Sequence, residues 1–204
     1  MRLGFFGGSF DPPHRGHLAV ARAAMGAFGL QRVLLAPTGL QPLKRKGAET
    51  PFRDRLNMVE LLCSAAGGLE PSGIDGPQEN DAPNYTVDTL ARLRASLSPS
   101  APHTEVFAIV GADSFLTMRQ WRRPDDLLLV AEWIVVSRPG FDLHALSPLG
   151  LTEAQRARVH LLEGVAEPIS ATAVRACLHA GEDCSELVTA PVLAYIRAQH
   201  LYGT

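Results

Sequence analysis

Gly7-Gly8-Ser9-Phe10-Asp11-Pro12-Pro13-His14-Arg15-Gly16-His17 follows a short apolar run, Leu3-Gly4-Phe5-Phe6, and precedes an amphipathic run that begins at Leu18. That order reads as strand, tight loop, helix. Gly7 and Gly8 let the backbone come close to a ligand. His14 and His17 stand three apart, and the intervening Gly16 is expected to leave open space. His17 lies at or near a helix N-terminus, where unpaired N–H groups and the helix dipole favour anions. Two imidazoles and a helix start in one place suit phosphate.

Each part of the stretch is ordinary by itself. A glycine-rich turn after a first strand is common in α/β proteins, and Asp-Pro-Pro is a usual turn sequence. The unbroken combination carries the reading. It is not a Walker A loop, because Gly-Lys-Ser/Thr is missing, and it is not the Gly-x-Gly-x-x-Gly dinucleotide fingerprint. His14 and His17 as metal ligands fit less well, since no cysteine or carboxylate cluster with zinc-like spacing accompanies them.

The composition is that of a soluble globular chain. Its 204 residues are enough for one sizeable core, and we expect a single domain over residues 1–204. Hydrophobic residues make up 46% and charged residues 20%. A net charge of −2 gives no support for a general nucleic-acid binder. Cys63, Cys177 and Cys184 form no Cys-x-x-Cys pair and are expected to be reduced thiols in a cytoplasmic protein. No signal peptide is recognisable, and no apolar run approaches the roughly 18–20 residues that span a bilayer. We therefore expect neither nucleic acid nor membrane as a partner, and a homo-oligomer is left open.

Strand-like and helical runs alternate. Strands are expected at Leu3–Phe6, Arg32–Ala36, near Ser72–Asp75, at Glu105–Val110, Trp133–Val136 and Val159–Leu162; the short, continuously apolar runs suit a buried parallel sheet. Helices are expected at His17–Phe28, Phe52–Ala66, Thr86–Leu97, around Asp125–Ala131, at Ser170–Ala180 and at Pro191–Gln199. Residues Phe141–Leu151 read as a loop. This alternation predicts an α/β, doubly wound parallel sheet covered on both faces, with ligands at the carboxyl ends of the strands.

Four further stretches bear on chemistry. In Ile169-Ser170-Ala171-Thr172-Ala173-Val174-Arg175, Ser170 is a natural N-cap and Arg175 falls on the first turns of a helix. Free N–H groups, hydroxyls and a guanidinium would converge there on a polyphosphate. Alone, the segment is only a capped helix; beside the Gly7–His17 loop it is a second phosphate contact. Gly111-Ala112-Asp113 ends the Glu105–Val110 strand, where Asp113 either accepts from a ribose hydroxyl or caps the next helix. Trp121 follows, and its simplest role is core packing. Thr86, in Tyr85-Thr86-Val87-Asp88-Thr89, sits near a helix start. Lys44, in a basic loop, is a candidate phosphate contact that a solvated loop explains about equally well. Arg138 ends a strand on the ligand side. Arg53 and Arg55 read as surface or structural helix residues. His103, His144, His160, His179 and His200 show no partner pattern. No nucleophile elbow or Cys/His arrangement is present.

His14-Arg15-Gly16-His17 after the first strand resembles the His/Thr-x-Gly-His mark of the nucleotidylyltransferase superfamily. In the Gly-Gly-Ser-Phe-Asp-Pro-Pro-His form it is similar to the bacterial nicotinate-nucleotide adenylyltransferase family. Ile169–Arg175, Gly111–Trp121 and Tyr85–Thr89 resemble that family's other motifs, in its order, over nearly the whole chain. The resemblance implies a Rossmann-like fold with a helical C-terminal part. It implies transfer of the adenylyl group of ATP to nicotinate mononucleotide, with Mg2+ accompanying ATP and no protein metal site.

The resemblance also implies roles. Gly7, Gly8, Ser9, Phe10, His14, His17, Gly111, Asp113, Ser170 and Arg175 would contact ATP, with His14, His17 and Arg175 catalytic. Lys44, Thr86, Trp121, the peptide at Arg122, and Arg138 would contact the mononucleotide. This chain departs from many relatives at Arg122, where they carry an aromatic residue, and at Met118, where they carry leucine. The alternatives are another adenylyl- or cytidylyltransferase of the superfamily, or a non-catalytic nucleotide-binding protein.

Overall fold

A computed structural model describes residues 1–43, 47–97, 103–137, 143–165 and 169–204. Six strands form one sheet: β1 (Arg2–Gly8), β2 (Arg32–Pro37), β3 (Leu69–Pro71), β4 (Glu105–Gly111), β5 (Glu132–Val136) and β6 (Val159–Leu162). Every pairing is parallel and the order is β3-β2-β1-β4-β5-β6. The chain moves outward in one direction from β1 and then in the other from β4. The crevice at the carboxyl ends of β1 and β4 is therefore the switch point at which such sheets bind ligands. Phe6 pairs with Ile109 next to that crevice, so Gly7-Gly8 and Gly111 border it from adjacent strands.

Helices cover both faces. On one lie α1 (Arg15–Phe28), α2 (Phe52–Ser64), α7 (Ala171–His179) and α8 (Ala190–Ala198), with Ala21, Met58, Leu62, Val174, Leu178 and Ile196 packed on Val33, Leu35, Phe107 and Ile109. On the other lie α3 (Thr86–Ser96), α4 (Ala112–Phe115) and α5 (Pro124–Val130), with Val87, Leu90, Phe115 and Leu128 packed on Leu3, Phe5, Val106, Ala108 and Trp133. Successive β4 residues thus alternate between two cores, which is why the strand reads as an unbroken apolar run.

Several expectations need correction. The third strand is Leu69–Pro71, paired Val33↔Leu69 to Leu35↔Pro71, not Ser72–Asp75. Proline ends this edge strand, and the chain then turns, with Gly76 N–H donating to Gly73 O at 2.9 Å. Residues Leu143–Leu149 form a 3-10 helix rather than a loop, because Leu146 and Leu149 are buried in the second core. A one-turn helix, α6 (Glu153–Arg156), was not anticipated; Thr152 and Gln155 form a capping box at its start. Helix α1 begins at Arg15, two residues early, so His17 is its third residue and His14 its N-cap. Cys177 and Cys184 are bonded to each other rather than reduced, with Cα atoms 6.2 Å apart. Gly181, at φ 66°, reverses the chain after α7 and brings Cys184 back onto the helix. Cys63 is a buried free thiol, and burial pushes its pKa up to about 12. Among the described residues no helix is long and apolar enough to cross a membrane.

Candidate active site

The loop between β1 and α1 is fixed from beneath. Phe10 has φ 47°, a region side chains rarely adopt. It is held there by full burial and by ring contacts with Phe6 (5.6 Å) and His17 (4.6 Å). Its ring is thus unable to meet a ligand in this conformation, and only its backbone faces the loop. Arg55 rises from α2 below. Its NH1 donates to Ser9 O at 2.7 Å and Thr38 O at 2.9 Å, and its Nε to Thr50 O at 3.0 Å. At 2% exposure Arg55 is no surface residue, and burial pulls its pKa below the usual arginine range.

His14 and His17 come together as expected, with ring centroids 3.8 Å apart. The His14 N–H donates to His17 Nδ1 at 3.2 Å. Neutral His17 therefore carries its proton on Nε2, where it is available as a donor. His14 is buried and its Nδ1 has no hydrogen-bond partner among the described residues. Burial lowers the His14 pKa to about 4. Burial first, and the charge of His14 second, hold His17 well below its ordinary value. Both rings are therefore neutral at pH 7. The space at Gly16 is not open: a Cβ there would lie 3.0 Å from His14 Nδ1 and 3.4 Å from Ile169 Cβ. Glycine lets the His14 ring and the approach to α7 close over the start of α1.

That approach brings in the second segment expected to contact phosphate. Ser170 caps α7, accepting from Ala173 N–H at 3.1 Å. Arg175 reaches back from α7, its NH1 donating to Asp11 O at 2.8 Å. Its Nε lies 3.3 Å from the exposed carboxylate of Glu49. The starts of α1 and α7, two histidines and one arginine thus border the same end of the sheet.

The other expected contacts are more dispersed. Gly111 ends β4, and a Cβ on it would meet nothing within 4 Å, so the ledge beside the loop is open. Asp113 is exposed in the first turn of α4. Thr86 is the first residue of α3, but Tyr85 is the N-cap and makes no side-chain cap bond. Trp121 donates from Nε1 to Thr117 Oγ1 at 2.9 Å and meets Trp133 edge-on at 6.4 Å. The Arg122 guanidinium lies 4.6 Å over the Tyr85 ring and 3.8 Å from Asp88. A cleft of about 620 Å³, lined by Asn84, Tyr85, Asp88, Arg92 and Arg122 among others, opens here; Thr86 and Trp121 are not among its lining residues. Lys44 and Arg138 lie outside the described residues.

Asp11 and Tyr202 escaped the sequence reading as support for the site, and Arg55 holds the structural of its two expected roles. Asp11 is buried at 4% exposure; its Oδ1 accepts from Tyr202 at 2.6 Å and its Oδ2 from Glu49 N–H at 2.6 Å. Tyr202 gave no local signal. Arg55 did: it lies on the same helical stripe as the buried Met58, Val59 and Leu62. His160 and His179 also have partners, Glu132 Oε2 at 2.9 Å and Tyr202 O at 2.9 Å.

A cytidylyltransferase-like family model matches residues 5–177. The chain is 38% identical over 203 residues to a Solibacter usitatus protein named "Probable nicotinate-nucleotide adenylyltransferase", covering 100% of each. It is 39% identical over 215 residues to a Chromobacterium violaceum protein of the same name, covering 98% of each. The fold matches Plasmodium falciparum nicotinic acid mononucleotide adenylyltransferase complexed with NaAD at TM-score 0.72 and 18% identity, over 98% of this chain and 97% of that one. The chain belongs to the nicotinate-nucleotide adenylyltransferase family of the cytidylyltransferase-like proteins.

Proposed function

We propose that the chain joins MgATP and nicotinate mononucleotide into nicotinate adenine dinucleotide and pyrophosphate, in the cytoplasm, as a step of NAD synthesis. The observation that carries this is the pair of neutral imidazoles at the start of α1, with a buried unpartnered Nδ1 on His14 and Arg175 aimed into the same loop. Full-length relatives bearing the adenylyltransferase name support the choice of acceptor.

A phosphate oxygen of the mononucleotide attacks the α-phosphorus of ATP. One P–O bond forms, the bond to the β-phosphate oxygen breaks, and pyrophosphate leaves with that electron pair. A phosphate monoester is already a nucleophile at neutral pH, so the protein positions groups and neutralises charge rather than removing a proton. His17 donates from Nε2 to the phosphates, and His14, stacked beside it, is the second imidazole that meets their charge. The starts of α1 and α7 supply N–H groups, and Arg175 exchanges the exposed Glu49 carboxylate for the β- and γ-phosphates. Mg2+ would arrive as part of the MgATP substrate and would supply charge neutralisation on its phosphates; both Asp11 carboxylate oxygens already accept hydrogen bonds. The Gly111–Asp113 ledge is the place for the adenosine. The cleft beside Tyr85 and Arg122 is the place for the pyridine, and Thr86 and Trp121, close to it in the chain, belong to the same proposal as mononucleotide contacts. Lys44 and Arg138 belong to the same proposal as mononucleotide contacts.

ATP labelled at the α-phosphate tests this. The label is expected in the dinucleotide and absent from pyrophosphate; label retained in ATP, or released as AMP, would overturn it.

A further inference from the structure

Beyond the residues that meet the nucleotide, a bridge runs under the phosphate arm. We propose that Tyr202 is a positioning residue for ATP: it clamps Asp11 and helix α7 together so that Arg175 is aimed at the polyphosphate before ATP arrives. This rests on the assignment of Arg175 to ATP.

Tyr202 is anchored at both ends. Its hydroxyl donates to Asp11 Oδ1 at 2.6 Å. Its carbonyl accepts from Nδ1 of His179 at 2.9 Å. His179 stands one helical turn beyond Arg175 on α7, and Arg175 itself donates to the carbonyl of Asp11 at 2.8 Å. Two residues of one helix are thereby joined to Asp11, one directly and one through Tyr202. The clamp is built at some conformational expense. Tyr202 has φ 57°, a left-handed backbone that non-glycine residues keep only when their surroundings impose it. Gly203 follows, where a Cβ would fall 2.6 Å from His179 Nδ1, so only glycine permits this approach.

The geometry also says what removal does. Asp11 is buried, and its Oδ2 is committed to the Glu49 N–H. Without the phenol, Oδ1 is a buried anionic oxygen seeking a cation. The Arg175 guanidinium already touches the Asp11 carbonyl, whereas Arg55, the other cation that feels the Asp11 charge, is held by the carbonyls of Ser9, Thr38 and Thr50; Arg175 is therefore the one drawn over, away from incoming phosphate. Burial and the neighbouring carboxylate hold the phenol above its ordinary pKa, so it remains a donor throughout the neutral range.

Tyr202→Phe keeps the ring and deletes the donor. The expected result is a rise of about tenfold in the ATP KM, and in the Kd for MgATP read by calorimetry without acceptor. The KM for nicotinate mononucleotide should stay within twofold and kcat within threefold. In an Arg175→Ala background the same change should alter the MgATP Kd by less than twofold, because Tyr202 acts through Arg175. His179→Ala, on an exposed side chain, is the second variant and covers failure of the first to fold; it should weaken MgATP about threefold, again only while Arg175 is present.

Equal rises in both KM values, effects that multiply with Arg175→Ala, or a lowered melting temperature with unchanged MgATP Kd would overturn the proposal. A wild-type protein that binds MgATP but transfers nothing to the mononucleotide refutes the proposed reaction and leaves the Kd comparison to judge Tyr202. A wild-type protein that does not bind MgATP refutes both.

Discussion

Replacing His17 with asparagine separates two jobs that one imidazole performs. Nδ1 accepts the His14 N–H at 3.2 Å and so fixes the helix start; Nε2–H is the donor that the proposed reaction gives to phosphate. An asparagine amide oxygen stands near the Nδ1 position and retains the first bond, while the donor at Nε2 is lost. Removing one preorganised donor to developing transition-state charge costs about 10²-fold or more in turnover, about 2.7 kcal/mol. The folded state also loses ring contacts with His14 at 3.8 Å and Phe10 at 4.6 Å, about 1–2 kcal/mol. His17→Gln reverses the choice, offering a donor near Nε2 without the cap, and should keep more activity with a similar stability loss. His17→Ala should lose both. Steady-state pyrophosphate release at saturating substrates, alongside urea unfolding, reads the two quantities separately. A folded His17→Asn enzyme within threefold of wild-type turnover would refute the role given to Nε2.

Other outcomes follow from the same geometry. With His14 at about 4 in the folded chain and 6.5 as its ordinary value, both states are neutral above pH 6.5, and only the unfolded chain takes up the proton as pH falls toward 4. Stability is therefore lost across that window, about 2–3 kcal/mol between pH 7 and 4.5. Urea unfolding should show a shallower pH slope for His14→Asn than for wild type, and identical slopes would contradict this. Arg55→Met leaves the carbonyls of Ser9, Thr38 and Thr50 without their donor and should cost about 3 kcal/mol or more; an unchanged denaturation midpoint would show that the guanidinium is not needed beneath the loop. Reducing Cys177–Cys184 opens a loop with a sequence separation of 7. By loop entropy it should cost about 2 kcal/mol, which urea titration with and without a dithiol reductant measures.

Much of the fold was legible because the sheet is buried on both faces. Glu105–Gly111 and Arg32–Pro37 are continuous apolar runs, since alternate residues serve two cores. Ser170 declared its helix by a local bond that a hydroxyl at that position makes. The edges were harder to read. The Leu69–Pro71 strand is only three residues long and ends on proline, so no alternation had room to develop. The turn at Leu143–Leu149 is decided by burial of Leu146 and Leu149, a tertiary fact. Thr152 and Gln155 did carry a capping signature at the right spacing, and α6 was readable from it. In the candidate site, His14, His17 and Arg175 were singled out because their chemistry is concentrated in short motifs. The support beneath them was not, because Asp11 meets Tyr202 across a sequence separation of 191. The cysteine pair escaped for a related reason: its spacing matches no redox or zinc motif, and only the reversal at Gly181 brings the sulfurs together.

The most direct test of adenylyl transfer is pyrophosphate release from MgATP with three acceptors in parallel: nicotinate mononucleotide, nicotinamide mononucleotide and phosphopantetheine. Rapid release with nicotinate mononucleotide, and little with the other two, is the predicted result. Release with none of the three would contradict the catalytic reading and leave a nucleotide-binding protein; release with phosphopantetheine alone would keep the phosphate site and refute the pyridine pocket beside Tyr85 and Arg122.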